Sequence, residues 1–483
     1  MPLESTGDFL KILEAEGELL RVRAEVNLRY QIAAVTAEAR RHPNGGPALL
    51  FESVRDSRYP VVSNLLGSPK RVQLACGASN LTEISARIMQ WIKPGWGESR
   101  SEPPVAAPSL LSRLTRLGSK PVKNAFSQQV VRLGRDVNLE EFAFPRHFEG
   151  ETGRTITGAQ LMLTSPDGQR RTISSPVLEI AGPQSLLVHW PLSDEGPDRV
   201  AEHRALGKQT PVMISLGGDP LLSLAAQGPA VPDWDAYSLV GILRGHSLNL
   251  ARGRTVELDA PADAEMLIEG YIDLQAIPAE GTVATAAGFL VPRTQLAVIR
   301  VTALTHRAQP VIPVVVHSAA GNETDAWSPL LAALLQPLLE RINPAIRAFE
   351  FYRDGAGRRI GCAAIETRHP GHARQALQCL ASWPPLSDVV MIVGVDDPAL
   401  LSEPCRLWAE VSRHADPAHD IWSIPAVRDG AHRVCRDLTR AATLLIDATR
   451  KPDPRSGDWI ELAEDPQEAQ EFAAKLWQQI KTK

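Results

Sequence analysis

Apolar residues follow a helical period in some stretches of this chain and alternate or run unbroken in others. Between Asp8 and Glu18, apolar Phe9, Leu10, Ile12 and Leu13 surround polar Lys11 and Glu14, which predicts an amphipathic helix ended by Gly17. Leu19 to Arg23 reads as a strand, Tyr30 to Arg40 as a second helix, and Pro47 to Glu52, after Gly45-Gly46, as a buried strand. This alternation predicts an α/β unit. From about Thr155 to Val316 short apolar or alternating runs recur between Gly, Pro and Asp: Gln160 to Leu163, Ser185 to Trp190, Val212 to Leu216, Met266 to Tyr271 and Gln295 to Thr302. They predict a β-barrel or sandwich, interrupted by a helix at Tyr237 to Leu243. An α/β pattern then returns. Helices are expected at Leu330 to Leu339, Gly371 to Ala381 and Leu400 to Ser412, with strands at Arg359 to Glu366, Val389 to Val395, Asp420 to Ile424 and Ala442 to Ile446. Pro466 to Lys481 reads as a charged helix able to dock on a neighbour, and the Pro-, Ser- and Arg-rich stretch Gly97 to Lys123 as a linker or surface loop.

Composition narrows the class. With 483 residues the chain has room for several domains with real cores. Its 44% hydrophobic and 22% charged residues are ordinary for a globular protein, and a net charge of -5 gives no basic field for nucleic acid. No run of about 18 apolar residues predicts a membrane span, and the N-terminus lacks the order of a secretory signal. The five cysteines (Cys76, Cys362, Cys379, Cys405 and Cys435) are scattered, so free thiols in a reducing cytoplasm are expected rather than a zinc site or a disulfide framework.

Generic motifs add little. There is no P-loop, GxSxG elbow or HExxH. Gly355 to Gly361 leads into a strand rather than a helix, so it reads as a hairpin turn. Asp396-Asp397 ends a parallel-type strand, where it could hold a cation or cap the next helix. His369-Pro370-Gly371-His372 is a turn before a helix.

Longer motifs carry a resemblance. Gly45 to Glu52 with Asn64-Leu65-Leu66-Gly67-Ser68, Gly153-Arg154-Thr155-Ile156-Thr157-Gly158, Leu216-Gly217-Gly218-Asp219-Pro220, Gly241-Ile242-Leu243-Arg244-Gly245, Pro261-Ala262-Asp263-Ala264-Glu265, Val301 to Arg307 and Ile446-Asp447-Ala448-Thr449-Arg450 occur in the order and spacing of the UbiD-like family. These are decarboxylases and carboxylases that use prenylated flavin mononucleotide. The resemblance implies an α+β multidomain chain: an N-terminal α/β domain over residues 1–125, a central flavin-reductase-like split β-barrel over 126–316, and a C-terminal α/β oligomerisation domain over 317–483. It also implies prenylated FMN with Mn2+ and K+, a flavin prenyltransferase as cofactor supplier, and an aromatic or α,β-unsaturated acid as substrate. Expected assemblies are a homo-oligomer (dimer or hexamer) or a hetero-oligomer with an intact UbiD-like paralogue.

Carried over residue by residue, the resemblance assigns His189 and Thr172 to the metal, and Thr172, Ser174, His189 and Arg368 to the cofactor. Of the family's Glu-Arg-Glu network it keeps Glu280 as the catalytic acid. Several positions have changed type. Thr172 stands where the family has an Asn, Val177 where it has the carboxylate-binding Arg, Ala236 where it has a metal-binding Glu, and Thr285 where it has the proton-donating Glu. The phosphate-binding Lys is missing near Thr367, and Arg368 is the nearest cation. An active site modified in this way leaves two expectations open: a (de)carboxylase with altered chemistry, or an accessory subunit beside an intact paralogue.

Overall fold

The computed structural model describes residues 3, 5–78, 80–92, 120–191, 194–227, 236–277, 279–285, 288–318, 323–353, 359–383, 386, 389–425, 442–451 and 466–481. Most of the Gly97 to Lys123 stretch, the Gly355 to Arg358 turn and Cys435 therefore lie outside the described residues.

The N-terminal part runs α1 (Thr6–Ala15), β1 (Leu19–Val22), α2 (Gln31–Arg40), β2 (Ala48–Phe51), β3 (Val61–Ser63), α3 (Pro69–Cys76) and α4 (Leu81–Ile92). Local rules explain its helices. The Ser5 hydroxyl accepts from the Asp8 amide to cap α1, which buries Phe9, Leu10 and Leu13, and the chain reverses at Gly17 with φ of 69°. Ser68 caps α3 in the same way, Pro69 occupies its first turn, and Gly77 ends it in the left-handed conformation.

The central part contains β4 (Lys120–Pro121), β5 (Val130–Leu133), β6 (Thr155–Ile156), β7 (Gln160–Thr164), β8 (Arg171–Ser174), β9 (Val177–Gly182), β10 (Ser185–His189), α5 (Gly196–Ala205), β11 (Thr210–Leu216), α6 (Leu221–Gln227), α7 (Ala236–Arg244), β12 (Asn249–Arg252), β13 (Asp259–Pro261), β14 (Met266–Ile272), β15 (Ala279–Ala284), β16 (Leu290–His306) and β17 (Ile312–Val314). Ten of these strands form one curled sheet in the order β6-β9-β10-β16-β14-β11-β7-β8, with β5 and β15 also pairing with β16. Its inner face is lined by Leu161, Leu178, Leu186, Val188, Val212, Ile214, Ile268 and Ile299, and Ile32, Leu49 and Phe51 of the N-terminal part close that core. The last strand leaves this sheet: β17 pairs in parallel with β3, completing a four-stranded N-terminal sheet in the order β1-β2-β3-β17.

The C-terminal part comprises α8 (Ser328–Ile342), β18 (Ile346–Arg353), β19 (Arg359–Ile365), α9 (His372–Ser382), β20 (Val389–Val395), α10 (Pro404–His414), β21 (Ile421–Pro425), β22 (Ala442–Asp447) and α11 (Gln467–Lys481). Its sheet order is β18-β19-β20-β22-β21, with β19, β20 and β22 mutually parallel. Such strands are apolar on both faces. Ala363 and Ile365 of β19 join α8 and α9 in one core, while Cys362 and Ala364 face Leu407 of α10 in another. One expectation needs correction. The helix predicted over Leu400 to Ser412 is instead a short 3-10 turn, Pro398–Ser402, followed by α10. Pro404 lacks the amide that a continuous helix would need and opens a new one. No helix among the described residues is long and apolar enough to cross a membrane.

Candidate functional site

The positions singled out from the sequence meet where β8, β9 and β10 approach one another. Ser175 and Pro176 join β8 directly to β9, although the two strands are far apart in the sheet order. The turn after β10 reaches back to β8: the Thr172 hydroxyl donates to Glu195 at 3.4 Å. Beside it, the Arg171 guanidinium lies 4.9 Å from the ring centre of Tyr237, which pins the start of α7 to β8.

A buried, hydrogen-bonded couple forms the heart of the site. The His189 Nε2–H donates to Glu179 Oε2 at 2.9 Å, and both residues are 4% exposed. The antiparallel register sets Val177 opposite His189, so Val177 and Glu179, two residues apart, share one face of β9. A glycine makes room for the pair: a Cβ on Gly281 would overlap the Glu179 carboxylate and come within 3.0 Å of the His189 ring. Around the couple, buried polar atoms lack hydrogen-bond partners among the described residues: Ser174 Oγ, Ser175 Oγ, His189 Nδ1 and Trp190 Nε1. Buried polar atoms are normally satisfied, so orphans on β8, on its link to β9 and at the end of β10 mark a surface shaped for something polar. Asp194, in the turn after β10, has its carboxyl pushed up to about 6 by burial, against the pull of the Gly196 amide that it accepts at 2.7 Å. The Ser174 hydroxyl faces it without reaching hydrogen-bond geometry.

The remaining predicted residues are dispersed. Glu280 sits at a bulge in β15 with its side chain exposed, while its neighbour Gly281 faces the Glu179–His189 pair. Thr285 closes the β15–β16 turn, its hydroxyl donating to the Phe289 carbonyl at 3.2 Å. Ala236 is buried at the start of α7. Arg368 is exposed, and its partners Glu366 and His372 both belong to the C-terminal part. Asp397 caps the turn after β20 by accepting from the Ala399 amide, and Asp396 accepts from the Arg450 amide.

The donor set present does not fit the divalent cation that the resemblance implies. Thr172 is engaged by Glu195, His189 Nε2 by Glu179, and Ala236 offers a methyl group. Among the described residues no three His, Cys, Asp or Glu side chains converge. Sequence reasoning missed Glu179, Asp194 and Glu195. A signal for the first existed: Glu179 is the one charged residue in the otherwise apolar run Val177-Leu178-Glu179-Ile180-Ala181, and a carboxylate is seldom placed in such a strand without a partner.

Comparison with known proteins assigns the framework. Three models of 3-octaprenyl-4-hydroxybenzoate carboxy-lyase domains match in chain order: the N-terminal domain over residues 10–88, the Rift-related domain over 120–319 and the C-terminal domain over 326–448. An uncharacterised protein of Aquifex aeolicus is 29% identical over 477 residues, covering 98% of both chains. The closed form of the vanillic acid decarboxylase of Sedimentibacter hydroxybenzoicus has the same fold, with a TM-score of 0.85 over 100% of each chain at 20% identity. So does an evolved dimeric form of the UbiD-class enzyme HmfF from Pelotomaculum thermopropionicum, solved with prFMN, with a TM-score of 0.75 at 24% identity over 96% of this chain and 97% of that one. The domain matches cover most of the sequence in a single order, and on them the chain belongs to the UbiD family of carboxy-lyases.

Proposed function

We propose that this chain is a UbiD-class (de)carboxylase that binds a flavin at β8, β9 and β10 and acts on an aromatic or α,β-unsaturated acid without the usual metal and Glu-Arg-Glu set. The observation that carries this reading is the pair of orphaned polar atoms Ser174 Oγ and His189 Nδ1, at positions that the resemblance assigns to the cofactor, with Ser175 Oγ and Trp190 Nε1 orphaned next to them in the chain. These groups would hold the flavin's polar edge. When bound, a prenylated flavin supplies an electron sink for the carbon that loses CO2. The central sheet in this reading is a flavin-reductase-like split barrel within a three-domain chain divided near residues 125 and 316.

A second reading is favoured by Val177, Ala236 and Thr285, which offer neither a carboxylate-binding cation nor a proton donor. In it the chain is an accessory subunit that assembles with an intact UbiD-class chain. The α11 helix suits either assembly, because Phe472, Leu476, Trp477 and Ile480 are all exposed along it.

Co-expression with a flavin prenyltransferase tests the proposal. The expected result is a protein with bound flavin by absorbance and mass spectrometry, reduced in Ser174→Ala, that releases CO2 from at least one member of an aromatic acid panel. Flavin-free protein that gains turnover only beside a UbiD-class partner would replace the first reading with the second.

A further inference from the structure

One acid of the C-terminal part stands without a counter-charge. Glu350 lies in β18, an edge strand of the C-terminal sheet, directly opposite Cys362 of β19. Opposed residues of an antiparallel pair share a face, and two positions along it Tyr352 stands opposite Ile360. The Glu350 side chain is partly buried, burial pushes its carboxyl up, and no hydrogen bond or salt bridge meets it among the described residues. Its neighbours differ: Glu403, whose charge acts on Tyr352, is held by Arg406 at 2.9 Å, and Glu410 of α10 is held by Arg413. A cavity of about 250 Å³ opens between this face of the sheet and α10. Tyr352, Ile360 and Cys362 form one wall, and Pro404, Leu407 and Trp408 the other. Cys362 and Leu407 are fully buried, whereas Trp408 is 44% exposed. The Tyr352 hydroxyl donates to the Leu400 carbonyl at 3.0 Å, which holds its ring in place. Burial pushes the Cys362 thiol up and the Glu350 charge adds to the rise, so the carboxylate acts on the cavity wall.

We infer that this cavity binds a small organic ammonium, with the apolar body of the ligand between the sheet and α10 and its charge toward Glu350. Three features select that class. The walls are aliphatic and aromatic and contain no cation, so they suit an apolar body and give nothing to an anion. Tyr352 and Trp408 supply π-systems that attract a cation. Glu350 supplies a counter-charge that no described residue has taken up, and pairing would offset the cost of its burial. The volume lies below that of sites for drug-sized ligands, which suits a single ring or a short alkyl chain. The inference does not depend on the function proposed above, since no residue of β8, β9 or β10 lines the cavity.

Calorimetric titration of the full-length protein with phenethylammonium and with phenethyl alcohol tests the inference, because the two share a ring and chain and differ in charge. The ammonium should bind saturably and about tenfold more tightly than the alcohol. E350Q should lose that preference and bind the two alike, W408A should weaken both, and S174A should leave both unchanged. Glu350 has no described partner to lose, so urea unfolding should show E350Q no less stable than the parent. Trp408 is partly exposed, so circular dichroism of W408A should match the parent. The site is overturned if the ammonium does not bind, if E350Q binds it as tightly as the parent does, or if the alcohol binds as tightly as the ammonium.

Discussion

Truncating Glu179 to Ala leaves the His189 Nε2–H buried with no acceptor, and the unfolding free energy should fall by about 1–3 kcal/mol. Glu179→Gln keeps an acceptor of similar shape and should lose less. Gly281→Ala should be destabilising by a similar amount, about 1–3 kcal/mol, because its methyl group would overlap the Glu179 carboxylate. The two changes are coupled through one contact. In a Glu179→Ala background the space is vacated, so the cost of Gly281→Ala should shrink. Urea unfolding of the four proteins of this cycle measures the coupling, and additive losses would show that Gly281 does not make room for Glu179. Ser174→Ala breaks no hydrogen bond, so its stability should stay within about 0.5 kcal/mol of the parent.

At the scale of elements, Arg71 of α3 ties together three segments. Its fully buried side chain donates to Glu18 at 2.9 Å and to the Gly46 carbonyl at 2.7 Å. Arg71→Ala should lower stability by about 3 kcal/mol in denaturant unfolding, since it leaves the Gly46 carbonyl without its donor and the part-buried Glu18 carboxylate with Lys70, 3.4 Å away, as its remaining cation. The sequence made α1, α2, α8 and α9 legible because apolar residues recur along each at helical spacing, with a glycine just past the end of α1 and another just before α9. It hid most of β16. Residues Gln295 to Thr302 read as a strand, yet β16 extends from Leu290 to His306. Its first half contains Pro292 and Arg293 and is largely exposed, so no burial pattern announces it, and its length is set by pairing with β5, β10, β14 and β15. The site was legible in the same uneven way. His189 and Ser174 could be assigned by resemblance, whereas Glu179 stood out only as a lone charge in an apolar strand, and its partner His189 followed from the pairing of β9 with β10.

For the whole molecule, pH acts through a carboxyl at the junction of the N-terminal and central parts. Glu265 accepts from the Val311 amide at 3.0 Å and faces Arg307 at 3.4 Å, yet burial pushes it up to about 7 from the usual 4.5. Between those values the folded chain holds a proton that the unfolded chain has released. Its contribution to stability is therefore present below about 4.5 and is lost as pH rises to about 7. Measured against E265Q, the parent should lose up to about 3 kcal/mol between pH 4.5 and 7.5, and parallel pH profiles for the two proteins would refute the assignment. Removal of α11 should leave the melting temperature within about 2 °C of the parent, because its side chains are exposed throughout; size-exclusion chromatography of the same variant reports whether the helix holds an assembly together.

The return of β17 to the N-terminal sheet has a consequence for synthesis. Val61 pairs with Ile312, and the Leu66 amide and carbonyl are met by Glu323 and Trp327, so the first sheet waits for residues more than two hundred positions downstream. At the usual rate of about 5–20 residues per second, β3 leaves the ribosome roughly ten seconds or more before its partner. During that interval its edge is open to other strands. Nascent chains arrested before Ile312 should therefore be protease-sensitive around β3 and dependent on chaperones, and those arrested with residue 330 well outside the exit tunnel should be protected.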